Sequence, residues 1–226
     1  METLTKALKD IYEQFSDRGV LSLYIWGSMT RSDYRPGISD IDVLAIVGPE
    51  TSIDDEQAIK EIIKAEYPEL KNFHINFLYL DELTSGEGRG YLTKILPPGY
   101  LLEDFEHWQH VCGKEFVPSD FTAAWSNDEV IRFCQARVLG ELDILEEFIE
   151  KNEQHYTVKA ALVLCHNLHQ RMHGKHQYNI DKLLERSTEE TKDILPALLF
   201  LRAEDYKPDA VREHASLIRE FVIRSI

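Results

Sequence analysis

YIWGSMTRSDYRPGISDIDVLAIV, residues 24–47, is the stretch that decides how the first half of this chain folds. A β-type run from Val20 to Trp26 stops at the breaker pair Gly27-Ser28. A second, Asp40 to Val47, opens with Asp-Ile-Asp and ends before Gly48-Pro49. A short helix is expected between them, directly after the Gly-Ser turn. Each part has a chemical use. Glycine at the turn lets the backbone approach a triphosphate closely, and a helix N-terminus behind it offers unpaired N–H groups. Ser28 adds a hydroxyl. Asp40 and Asp42 stand two apart on a strand, so their carboxylates project from one face and can grip one hard cation through oxygen. Such a cation would neutralise the phosphates and polarise the α-phosphorus.

On the N-terminal side, Leu4, Leu8, Ile11, Tyr12 and Phe15 recur at helical spacing and predict an amphipathic helix ending near Asp17 to Gly19. On the other side, the acidic start Asp54-Asp55-Glu56 and the apolar positions Ala58, Ile62, Ile63 and Ala65 predict a second helix before Pro68. Phe73 to Leu80 alternates Phe73, Ile75, Phe77 and Tyr79 with His74 and Asn76, a third strand. From Thr84 to Gly99 the glycines and Pro97-Pro98 predict a loop or a broken connection. Beyond it the pattern becomes helical: Asn127 to Asn152, Tyr156 to His173, Ile180 to Arg186, Thr188 to Arg202 and Pro208 to Ser225. Val211, Ala215, Ile218 and Val222 form a buried stripe on the last. The expected fold is α+β: an α/β domain with a small mixed sheet over residues 1–100, then a helical bundle domain over 101–226.

The composition narrows the function. At 226 residues and 43% hydrophobic content the chain can bury a substantial core. A formal charge of −15 repels a polyanion, so nucleic acid is a disfavoured partner, whereas it suits a cationic small substrate. The start METLTKALKD lacks the pattern of a signal peptide, and the apolar stretches are too short to span a bilayer, so a cytoplasmic location and no membrane partner are expected. Cys112, Cys134 and Cys165 lack CxxC spacing and suggest buried thiols rather than disulfides or a zinc site.

Gly27-Ser28, the spacer Met29 to Ser39, and Asp40-Ile41-Asp42 followed by Val43-Leu44 resemble the signature of the DNA polymerase β-like nucleotidyltransferases: a Gly-Ser turn, a spacer, then Asp-x-Asp in an apolar strand. The resemblance implies that Gly27, Ser28 and Ser39 bind the nucleotide and that Asp40 and Asp42 hold Mg2+. Size and layout are similar to the bacterial aminoglycoside adenylyltransferases, which carry a helical domain after the catalytic one. His173-Gly174-Lys175 resembles their helix-end Gly-Lys, which makes Lys175 a further phosphate contact or, on its own chemistry, an exposed lysine after a cap glycine. Val111 to Phe116 lies where those enzymes have a Gly-containing turn. Arg31 and Arg35, in the spacer, are either phosphate contacts or solvated charges.

One element departs from the family. Its members carry a third carboxylate on the following strand, where this chain offers Phe73-His74-Ile75-Asn76, with His74 at the expected position. A neutral imidazole can take up a proton near pH 7, so His74 is the candidate base; Glu66, Glu69 and Asp81 are the nearby carboxylates if the alignment slips. In the helical half, His166, His169 and His173 have metal-clasping spacing without a carboxylate partner, and Arg171 with His176 resembles the Arg-His element of HEPN ribonucleases. Glu141, Asp143, Glu146, Glu147, Glu150 and Glu153 make one helix strongly acidic, either a solvated face or a surface for substrate amines. Trp108 and Trp125 are expected to be buried in a core or interface, the alternative being that they pack on a sugar ring. The expected function is Mg2+-dependent transfer of AMP from ATP to a hydroxyl of a small, aminoglycoside-like molecule. Its rivals are a toxin–antitoxin or regulatory module acting on a protein, and a catalytically silent nucleotide-binding protein.

Overall fold

Leu4, Ala7, Leu8, Ile11 and Phe15 share the buried side of helix α1 (Glu2–Phe15), as their spacing predicts. The helix runs into a 3-10 turn, Ser16–Arg18, and Gly19 at φ +100 reverses the chain into strand β1 (Val20–Trp26). Strand β2 (Ile41–Val47), helix α2 (Ile53–Glu66) and strand β3 (Phe73–Tyr79) follow. Ser52 caps α2, its hydroxyl accepting from the Asp54 N–H at 3.2 Å. In a computed structural model, residues 1–30, 34, 39–173, 197 and 208–225 are described.

The sheet is mixed, in the order β3-β2-β1 and then β4 (Gln109–Gly113), with β2 and β3 parallel and the other pairs antiparallel. Its fourth strand, β4, is not predicted from the sequence, which places the stretch around Val111 at a turn leading into helices. The strand is short, with Gln109 exposed and the other four residues half-buried, so it shows neither an apolar run nor a clean alternation, and its pairing with Ser22 to Ile25 of β1 defines it. The expected loop between Thr84 and Gly99 contains short helices: α3 (Glu82–Ser85), α4 (Tyr91–Ile95) and the start of α5 (Pro98–Leu102).

The two sheet faces bury different partners. One face presents Leu23, Ile25, Val43, Ala45, Ile75 and Phe77 to α1 and α2. The other presents Tyr24, Leu44, Ile46 and Leu78 to Leu83, Leu101, Leu102, Phe105, Trp108, Phe116 and Phe121. This second cluster carries the chain well past residue 100. The described residues divide into two compact units, Met1–Trp125 and Ser126–Ile226, and the expected boundary at 100 falls inside the first because β4 and the aromatic segment around it complete the sheet.

Buried carboxylates fasten this unit. Glu82, 1% exposed, accepts from the Tyr79 N–H at 3.2 Å, the Gly90 N–H at 2.6 Å, the Thr93 hydroxyl at 2.9 Å and the Arg89 N–H. It therefore ties α3 to the end of β3 and to the start of α4, across the irregular stretch between the two short helices. Glu56 accepts from the Phe77 N–H at 3.1 Å and pairs with Lys60, and Asp55 pairs with Arg18.

In the second unit, helix α6 (Asn127–Lys151) starts at a capping box: the Ser126 N–H donates to Glu129 at 2.8 Å. Helices α7 (Gln154–His173) and α8 (Pro208–Ser225) pack with it through Val138, Leu145, Ala161, Leu164, Leu168, Val211, Ala215, Ile218 and Val222. The acidic residues of α6 are in part paired: Glu141 with Arg137 at 2.5 Å, Glu146 with Arg219 at 2.7 Å, and Glu147 with Lys151. The helices expected over 180–186 and 188–202 lie outside the described residues. No helix among the described residues is long and apolar enough to cross a membrane.

Glu82→Ala should destabilise the protein by about 3 kcal/mol in urea unfolding, because it strips an acceptor from buried N–H and hydroxyl donors at once. A pH effect follows from Glu129, whose carboxyl the Ser126 N–H and hydroxyl hold below its ordinary 4.5. A depressed carboxyl contributes stability above its unfolded value and loses it as pH falls through its folded value. The melting-temperature advantage of the wild type over Glu129→Ala should therefore be full at pH 7 and shrink as the pH drops below 4.5.

Candidate functional site

At the end of β1 the chain turns through Gly27 at φ +75, a backbone region open to glycine, into the 3-10 turn Gly27–Thr30, which the Thr30 hydroxyl braces by donating to the Gly27 carbonyl at 3.0 Å. This 3-10 turn stands directly after β1, where a short helix is expected; residues 31–33 and 35–38, with Arg31 and Arg35, lie outside the described residues. Steric space demands glycine as well. A Cβ on residue 27 would stand 2.6 Å from Oδ2 of Asp42 and 3.3 Å from its Cβ and Cγ. The turn and the second carboxylate of Asp-x-Asp are therefore in direct contact.

Strand register arranges the rest. Trp26 pairs with Asp42 across the β1/β2 ladder, and Asp42 pairs with His74 across the β2/β3 ladder, so these residues form one row across three strands. Ile41 and Val43 are buried in the cluster under α1 and α2, which directs Asp42 to the opposite face of β2. The parallel pairing starts where Asn72, in the left-handed conformation, accepts from the Ile41 N–H at 2.9 Å. Asp40 precedes the strand by one residue, and its Oδ1 lies 3.9 Å from Nε2 of His74. Asp40 and Asp42 are half-buried, whereas the His74 side chain is 56% exposed. Ser28 and Ser39 are also half-buried, Ser28 inside the turn and Ser39 just before Asp40.

The structure thus brings together Gly27 with Asp42, Asp42 with His74, and His74 with Asp40. Asp81 lies past the far end of β3, where it pairs with Arg89 at 3.5 Å. Glu66 and Glu69 line an 870 Å³ surface hollow with Met1, Lys6, Lys9 and Asp10 of the N-terminal segment. His74 is the titratable side chain that β3 presents to Asp42. Lys175 lies outside the described residues, as do His176 and the side chains of His169 and His173 from the histidine-rich run.

A hard divalent cation fits this donor set. The Asp42 carboxylate stands beside a turn with no side chain to block it, and Asp40, two positions earlier, lies close to His74, the register partner of Asp42. Among the described residues no three His, Cys, Asp or Glu side chains gather as a metal site, so a cation held by Asp40 and Asp42 would complete its oxygen shell from the triphosphate and water.

The sequence does not single out Asp104. It is 1% exposed, accepts from Nε1 of Trp26 at 2.8 Å and lies 3.2 Å from Nδ1 of His107. Asp104 is one of three acidic residues, with Glu103 and Glu106, in the run Tyr100 to Trp108, and nothing local sets it apart from the other two.

Residues 4–88 match the family model of the nucleotidyltransferase domain. The matched stretch contains most of α1, the Gly27 turn, both aspartates and β3, and it supports placing this part of the chain in the DNA polymerase β-like superfamily and its general chemistry of nucleotidyl transfer. No curated protein matches the chain.

Gly27→Ala is expected to lower stability by about 1–2 kcal/mol for the left-handed backbone alone. It should also displace the Asp42 carboxylate, so Mn2+ titration of the variant in the presence of nucleotide should show affinity at least about tenfold below wild type.

Proposed function

We propose that the protein transfers AMP from ATP, with Mg2+, to a hydroxyl of a small molecule. The observation that carries this reading is the row Trp26, Asp42 and His74, with Gly27 pressed against Asp42 and Asp40 close to His74. Gly27 and Ser28 would hold the phosphates, helped by Ser39 and Lys175, and Asp40 and Asp42 would hold the metal. When bound, Mg2+ supplies positive charge to the phosphates and draws electron density from the α-phosphorus.

The chain's own residues would act by alignment. The exposed imidazole of His74 takes the proton of the acceptor hydroxyl, whose oxygen bonds to the α-phosphorus as the bond to the bridging oxygen breaks and pyrophosphate leaves. The proton on His74 then passes to solvent, which its exposure permits. Asp42 and Asp40 flank the base, so the acceptor oxygen and the α-phosphorus would meet between one imidazole and two carboxylates.

An aminoglycoside-like acceptor is favoured by the formal charge of −15, by the exposed carboxylates of Asp143 and Glu150 on α6 and of Glu153 just after it, and by the likeness in layout to aminoglycoside adenylyltransferases. A second reading, a nucleotide holder that is silent or that regulates a protein partner, is favoured by the histidine at the family's carboxylate position.

Pyrophosphate release should appear with ATP, Mg2+ and a member of an aminoglycoside panel, and should vanish in Asp42→Asn. Release that survives this substitution would place the activity elsewhere. His74→Ala should lower kcat by about 10²-fold or more while changing ATP affinity by less than about threefold. Magnesium-dependent ATP binding with no release from any acceptor would select the silent reading.

A further inference from the structure

We infer that Asp104 is a positioning residue for the phosphate-binding turn, acting through the indole of Trp26. This inference rests on the reading of Gly27 and Asp42 as the nucleotide site. A carboxylate at 1% exposure beside Leu101, Leu102, Phe105 and Trp108 is expensive to desolvate, and an apolar side chain would serve the core at least as well. What an apolar side chain could not do is accept the Trp26 Nε1–H, which donates to Oδ2 of Asp104 at 2.8 Å across 78 positions of sequence. Trp26 is the last residue of β1, the one immediately before Gly27, and the register partner of Asp42.

The bond therefore fixes the hinge from which the turn leaves the sheet, at a place where the tolerance is small: Oδ2 of Asp42 would lie 2.6 Å from a Cβ on residue 27. Asp104 is itself held on both sides. Its N–H donates to the Leu101 carbonyl at 3.2 Å, its carbonyl accepts from the His107 N–H at 2.9 Å, and its Oδ1 faces Nδ1 of His107 at 3.2 Å. Loss of the Trp26 bond would leave a buried carboxylate short of a donor and the indole free to rotate, so the turn would sample positions away from Asp42.

The test uses Trp26→Phe, Asp104→Leu, Asp104→Asn and the double variant Trp26→Phe/Asp104→Leu in the full chain. Amide hydrogen exchange of peptides covering 24–30 and 40–44, in the free protein, is the first readout. Exchange should rise about tenfold in Trp26→Phe and in Asp104→Leu, and stay within about threefold of wild type in Asp104→Asn, which keeps an acceptor oxygen. The double variant should be no worse than either single one, since it removes both partners of one bond. Mn2+ affinity in the presence of a non-hydrolysable ATP analogue should follow the same order. Unchanged exchange in both single variants, or Asp104→Asn as impaired as Asp104→Leu, would overturn the inference. A wild type that binds no metal–nucleotide would overturn the nucleotide reading instead, while the exchange data would still decide the link from Asp104 to the turn.

Discussion

The close approach of Gly27 to Asp42 is the constraint on which the candidate site depends. An L-residue with a side chain at position 27 would meet the Asp42 carboxylate and would also have to adopt φ +75. Only glycine satisfies both conditions, and it does so at the point where β1 hands over to the turn. The antiparallel ladder between β1 and β2 then places Asp42 opposite Trp26, and the parallel ladder between β2 and β3 places His74 beside Asp42. A one-residue slip in either ladder would send these side chains to the other face, into the core under α1 and α2. The apolar residues on that face, Val43, Ala45, Ile75 and Phe77, thus hold the polar row in register.

Three buried carboxylates serve the same unit in different ways. Glu56 and Glu82 accept from backbone N–H groups of β3, and Glu82 also gathers the chain near residues 89–93. Asp104 accepts from a side chain at the end of β1. All three stand where regular structure ends or where the ladder has no further strand, which is where backbone and side-chain donors would otherwise go unmet.

Much of this was legible in the sequence because local pattern and tertiary role agree. Leu4, Leu8, Ile11 and Phe15 mark α1 by spacing, the two β-type runs flank the Gly-Ser turn as read, and alternation along β3 sets His74 apart from the buried Ile75 and Phe77. The rest depends on contacts distant in sequence. β4 is a strand because β1 accepts it as a neighbour, and its five residues are all half-buried or exposed. The helices between 82 and 102 rest on Glu82 and on apolar residues from the far side of the sheet. Asp104 is one of three acidic letters between Tyr100 and Trp108 until its partner, 78 positions earlier, is seen. That Gly27 touches Asp42 could be hoped for from the motif, but the distance itself comes from the twist and register of two strands.

The carboxylates of Glu56 and Glu82 along β3 have a consequence for solubility. β3 is a margin of the sheet, and an open margin offers its N–H groups to any extended peptide that drifts alongside. At Phe77 and Tyr79 those groups already point into acidic oxygens. An incoming strand would bring its own carbonyl oxygens up against negative charge there instead of finding donors. Half of this border is thereby closed to self-templated growth by side chains of α2 and α3, without a proline in the strand.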